Sequence, residues 1–197
     1  MKRLILIIMG IVLVGCSAGN QLVEKPVVIE KSTDHSDRPD WVTETFSEKD
    51  GMFFFSGMVD GGHDLAVSIR QAKAEALKNV AESIAASIRQ EFTEVVEGDN
   101  QEDDLARWMS DGIAWAVRNI DVIGAKQREV YYERVFYPMM GDATYTAFAL
   151  IEMNKPDYMK TRRDAIKKLR GKLLAENQKE AKKRAEELLD KLLVEEL

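Results

Sequence analysis

The chain has 197 residues, with 28 basic against 34 acidic side chains and a formal charge of −6. That length holds one domain with tails, and a hydrophobic content of 45% supports a packed core. The acidic balance leaves no basic patch large enough for a nucleic-acid partner, and a single cysteine excludes a disulfide within the chain.

Lys2 and Arg3 precede an apolar run over residues 4–14. A membrane-spanning helix needs about 20 apolar residues. The run is too short to span, and has instead the basic start and apolar middle of a secretory signal. It ends in Leu13-Val14-Gly15-Cys16, which resembles the lipobox of bacterial lipoproteins. That resemblance implies a signal peptide over residues 1–15, cleavage after Gly15, thioether lipidation of Cys16 and acylation of the new N-terminus. A small residue at position 15 lets a peptidase close on the scissile bond, and the Cys16 thiol is the nucleophile that accepts the lipid. One acyl chain binds a membrane only marginally, whereas several hold a protein there. Among lipoproteins of diderm bacteria, Ser rather than Asp at position 17 is permissive for the outer membrane. An ordinary signal peptide with a stray cysteine is the competing reading.

Residues 16–37 are expected to form a lipidated flexible tether, rich in Ser, Asp, Lys and Glu, with Pro26 and no sustained period. Within it, Val27-Val28-Ile29 reads as extended chain more than as a docked strand. Arg38-Pro39-Asp40-Trp41-Val42 opens the domain. Pro39 holds Arg38 extended, and Trp41 is expected to plug one end of the core. Residues 52–59 follow the turn Lys49-Asp50-Gly51 and read as a buried strand, with Gly57 marking a close backbone approach or a bulge. Gly61-Gly62-His63-Asp64 leads into a helix over residues 65–85, with Asp64 as its cap. A phosphate cradle is rejected there, because the helix start lacks Lys and Arg and Asp64 would repel an anion. Ile69, Ala72, Ala76, Val80 and Ile84 form the buried stripe, and its alanines let the helix lie close to a sheet. Over residues 86–96 the shared parity of Ala86, Ile88, Phe92 and Val96 favours a half-buried strand. Continued helix is the competing reading.

The acidic stretch from Asp99 is not a calcium loop, since Asp104 and Ser110 stand where Gly and Glu are required. A second helix is expected over residues 102–119, with the stripe Leu105, Met109, Ile113, Ala116 and Ile120. Trp108 and Trp115 flank it, either as core-edge packing or as an aromatic patch for a partner. Residues 122–137 and 143–153, joined through Pro138-Met139-Met140-Gly141-Asp142, give the strongest hairpin signal. Asn154 caps a final helix with Pro156 near its first turn. This charged helix is expected to run over residues 155–197. Its early stripe is Ile166, Leu169 and Leu173. Its late stripe, Leu188 and Leu192, projects or pairs with another helix. Trp108, Trp115, Leu188 and Leu192 are the candidate partner-binding residues.

The element order, the lipobox, Pro39-Asp40-Trp41-Val42, Gly57, and Ala66, Ala72 and Ala76 within a helix resemble the LPP-twenty family of bacterial lipoproteins, over residues 39–153. The resemblance implies an α+β fold, a small curved antiparallel sheet packed on helices as in a dodecin-like core, for a domain over residues 38–154. It also implies attachment to the outer membrane, oligomeric assembly in some members and no catalytic residues. The family includes surface lipoproteins and a lipoprotein of flagellar assembly. The Trp-bearing second helix and the long C-terminal helix depart from its short members.

Only two histidines, His35 and His63, are present, and neither is placed with a Cys or carboxylate partner for nucleophilic work. No zinc-protease, nucleophile-elbow or phosphate-loop motif occurs. The expected product is therefore a non-catalytic envelope protein without metal or cofactor, apart from covalent lipid on Cys16. Its expected partners are the membrane, through that lipid, and either further copies of itself or another envelope protein. Two alternatives stay open. The aromatic strand residues Phe53, Phe54, Phe55, Tyr131, Tyr132 and Phe136 suit a small apolar-ligand module. A regulator of cell-wall synthesis is the other, although a tether of about 20 residues reaches poorly across the periplasm.

Overall fold

The computed structural model describes residues 25–32, 37–96 and 102–175, together with 186, 189 and 190. In chain order these form β1 (Val27–Lys31), a 3-10 turn (Asp40–Thr43), β2 (Phe46–Lys49), β3 (Met52–Gly62), α1 (Leu65–Val96), α2 (Glu102–Arg118), β4 (Lys126–Tyr137), β5 (Asp142–Asn154) and α3 (Lys155–Ala175). The fold is α+β. Its five strands make one antiparallel sheet in the order β1-β4-β5-β3-β2, and the helices pack with it.

Local chemistry sets the hairpins. Asp50 and Gly51 both have positive φ, 53° and 74°. Two such residues give the turn whose twist matches that of the strands it joins, here β2 and β3. The β4–β5 hairpin closes where Tyr137 pairs with Asp142, with the amides of Met140 and Gly141 both donating to the Tyr137 carbonyl. Asp64 caps α1, its Oδ1 accepting from the Val67 amide at 2.8 Å. Asn154 and Asp157 cap α3 reciprocally. Asn154 Oδ1 accepts from the Asp157 amide at 2.8 Å, and Asn154 Nδ2 donates to Asp157 Oδ2 at 2.8 Å.

Gly57 of β3 fixes how the layers meet. A Cβ there would lie 2.2 Å from the Ala76 amide nitrogen and 2.3 Å from the Ala72 carbonyl oxygen. The bare glycine and the alanine stripe together let α1 lie directly on the strand, and Ala72, Ala76, Val80 and Ile84 are all fully buried. Asn79 ties the contact by donating to the Ser56 carbonyl at 2.7 Å.

The strand expected over residues 86–96 is instead the last third of α1, which runs unbroken for 32 residues. At 1.5 Å per residue that is about 48 Å, longer than the 11-residue β3 it crosses. The overhang buries Ile88 and Phe92, four apart, in one cluster with Met109 and Ile113 of α2 and Ile166, Leu169 and Leu173 of α3. Alternating parity and helical spacing share positions 88 and 92. Exposed Ala86 and buried Ala85 separate the two patterns, and they follow the helix.

Three further expectations change. Residues 27–31 are a sheet strand, not free tether: β1 pairs with β4, Val27 opposite Phe136 and Lys31 opposite Glu133. Ser32 extends this ladder, its amide donating to the Tyr132 carbonyl at 3.0 Å and its hydroxyl accepting from the Tyr132 amide at 2.9 Å. Trp41 does not plug the core; it is half-buried on the sheet face opposite α1. Finally, α3 is described over Lys155–Ala175, and Asp190 does not lie along its continuation. Arg170 Nη1 lies 3.0 Å from Asp190 Oδ1, whereas 20 helical residues would separate those positions by about 30 Å. Leu189 is buried in the main core cluster, so this part of the chain lies back against the body.

Candidate functional site

The two sheet faces differ in chemistry. On the helix side, Phe53 and Phe55 meet Tyr158 of α3, with ring centroids 4.7 and 6.3 Å apart. On the other side, Tyr131, Glu133 and Val135 of β4 stand beside Phe148 and Leu150 of β5, and all five are buried. The segment bearing Arg38 and Trp41 makes polar contacts with this second face.

A buried carboxylate organises that face. Glu133 is only 3% exposed. Arg38 donates to it through Nε, 3.2 Å from Oε1, and through Nη2, 2.5 Å from Oε2. Tyr131 Oη donates to Oε1 at 2.8 Å. The Arg38 guanidinium also lies 5.6 Å from the centre of the Phe148 ring. Close by, Trp41 Nε1 donates to Glu129 Oε2 at 2.8 Å. Burial opposes ionisation of Glu133, but the hydrogen bonds from Arg38 and Tyr131 and the positive charge of Arg38 outweigh it. They hold the carboxyl below the usual carboxylate range. The Tyr131 phenol is pushed up to about 12 by burial and by its bond to Glu133, so it stays a donor. The fork of Arg38 suits a carboxylate and fixes the incoming chain over the sheet. This arrangement positions backbone. Arg38 and Tyr131 turn their donors on Glu133, and Trp41 turns its indole N–H on Glu129.

A buried cation, Arg162 of α3, donates through Nε to Ser87 Oγ at 3.0 Å and pairs with Glu91. It locks α3 to the overhang of α1. Among the described residues no group of three or more His, Cys, Asp or Glu is arranged to hold a metal ion, and no helix is long and apolar enough to cross a membrane.

Of the residues singled out from sequence, Gly15, Cys16, Leu188 and Leu192 lie outside the described residues, as do His35 and the Trp108 side chain. Trp115 sits on α2 at 36% exposure, with Lys172 Nζ of α3 5.3 Å from its ring centre. It therefore packs partly within the molecule. His63 lies 3.7 Å from Asp142 Oδ2, and both are largely exposed. The aromatic strand residues do not converge on one site. Phe53 and Phe55 are in the core, Phe54 lies on the opposite face beneath Arg128, Tyr131 faces Phe148, and Tyr132 meets Tyr145.

The Arg38–Glu133 pair escaped the sequence reading. Its signal was the run Val130-Tyr131-Tyr132-Glu133-Arg134-Val135-Phe136, apolar at both parities, which implies a strand covered on both faces and hence a buried carboxylate in need of a partner. Compared with family models, curated proteins and solved structures, the chain matches none.

Proposed function

We propose that the chain is an envelope lipoprotein, held on the outer membrane by lipid on Cys16, which acts as a non-catalytic structural or adaptor protein through self-association or a protein partner. The observation that carries this reading is Leu13-Val14-Gly15-Cys16 at the end of a basic-then-apolar leader. The resemblance to the LPP-twenty family supports the same placement. The body's buried charges support the absence of catalysis, because Glu133 with Arg38 and Arg162 with Glu91 join segments of the fold.

A sheet that begins at Val27 leaves only a short link to Cys16. This favours a role close to the anchoring membrane over a regulator reaching across the periplasm. The division of the aromatic residues between two sheet faces argues against a single apolar-ligand cavity.

The decisive experiment replaces Cys16 with Ser in the host. The wild type is expected in the membrane fraction, with a mass increased by lipid, and Cys16→Ser in the soluble fraction without it. Membrane fractionation of the variant at an unchanged mass overturns the reading. Crosslinking of the anchored protein then identifies whether its neighbour is another copy or a different envelope protein.

A further inference from the structure

One end of the sheet combines two features. The β4–β5 turn, Pro138-Met139-Met140-Gly141, carries the two most exposed large apolar side chains among the described residues, Met139 at 77% and Met140 at 80%. The chain also enters the sheet at this same end. Val27, the first residue of β1 and 51% exposed, pairs with Phe136, next to the residue that closes the turn. Lys25 and Pro26, both exposed, lead into it. Lys25 is nine chain steps from Cys16, a reach of at most about 30 Å when fully extended. The opposite end of the sheet carries the polar Asp50-Gly51 turn instead.

The geometry points to the β4–β5 tip as a second membrane contact: Met139 and Met140 dock into the lipid surface to which the chain is tethered. The inference rests on the anchor reading above, because the tether brings this end of the sheet to the bilayer. Methionine suits the task, being apolar, unbranched and adaptable to an irregular lipid surface. The carboxylates of Asp142 and Asp64 each have one oxygen on backbone, while Asp142 Oδ2 lies 3.7 Å from His63 Nδ1. Asp142 Oδ1 accepts from the Ala143 amide at 2.7 Å, and Asp64 Oδ1 accepts from the Val67 amide. A tethered body with one apolar corner at the tether's exit takes a fixed orientation, with the Asp50 turn directed away from the membrane.

The test is oxidation footprinting by dilute peroxide, read by mass spectrometry. The chain beginning at Cys16 is coupled through that thiol to a maleimide lipid in vesicles of phosphatidylethanolamine and phosphatidylglycerol. This supplies the tether whether or not the cell lipidates Cys16, so failure here and failure of the Cys16→Ser fractionation remain distinguishable. Met58, 54% exposed at mid-sheet, is the internal reference. Oxidation follows the fraction of time a thioether is in water, and burying one methionine shifts that balance about tenfold. The expected result is about a tenfold slower oxidation of Met139 and Met140 on vesicles than in free solution, with Met58 unchanged. Equal rates on and off vesicles, or slowing of all three methionines together, overturn the inference. Protection without vesicles at raised protein concentration also overturns it, by assigning the tip to a second copy of the chain.

Discussion

Gly57 is a position where one atom decides the packing of two layers. The atoms that a Cβ would strike belong to the backbone of α1, which cannot rotate aside as a side chain would. Gly57→Ala must separate helix from sheet, and a loss of about 3 kcal/mol is expected in urea unfolding. Gly171, on the exposed side of α3 with nothing within 4 Å of its would-be Cβ, provides the contrast. Gly171→Ala is expected to be neutral or to stabilise by up to about 1 kcal/mol, through helix propensity alone. Glu133 is the residue whose charge the fold depends on. Its pKa is lowered from 4.5 in the folded chain, so the stability it contributes is fully present above that pH. It is lost as pH falls through the depressed folded value. Glu133→Gln is expected to cost about 2 kcal/mol at neutral pH, the loss of a charge-assisted bond to Arg38. The gap to wild type should close as unfolding is followed downward from pH 5. A gap that stays constant with pH would mean that Glu133 is not ionised in the fold.

At the scale of elements, the last third of α1 is where two periodicities compete. A helix and a strand both bury Ile88 and Phe92, but they make opposite assignments at the preceding pair of alanines. Ala85 is buried at 4% exposure and Ala86 is exposed. Ala85→Lys is therefore expected to cost about 3 kcal/mol or more by forcing a charge into the core. Ala86→Lys should fall within about 0.5 kcal/mol of wild type. A strand would reverse the order, so thermal unfolding of the two variants decides it. The same region shows what was legible in the sequence. The alanine stripe, the β4–β5 hairpin and the Asn154 cap were readable because each is a local pattern with one physical interpretation; Gly57 allowed a bulge as well as the close approach that the structure shows. The tail of α1 was not, because its apolar spacing fits two periods and only packing against α2 and α3 selects one. Strand β1 was missed because all five of its residues are exposed; its reason to be a strand is the hydrogen-bonding edge of β4, which no pattern within residues 27–31 reveals.

For the whole molecule, the missed strand sets the boundary of the folded body. β4 is 12 residues long, and β1 covers part of what would otherwise be a long open edge. Such an edge is a template for pairing with another chain. β1 replaces it with a short outer edge interrupted by a register shift between Val28 and Glu30, preceded by Pro26 and ended by Lys31. Each of these features hinders further strand addition. At the other border β2 is only four residues and ends in Lys49. A chain cut at the boundary that sequence favours, beginning at Arg38, keeps the buried Glu133 pair but uncovers β4. Its core residues all remain, so the direct cost is the β1 ladder, a few kcal/mol at roughly 1 kcal/mol per net hydrogen bond. The larger effect is expected in solution behaviour. Static light scattering should show the chain beginning at Arg38 associating with time and concentration under conditions where the chain beginning at Cys16, with its thiol blocked, does so less. Equal scattering from the two would mean that β1 does not guard the edge of β4.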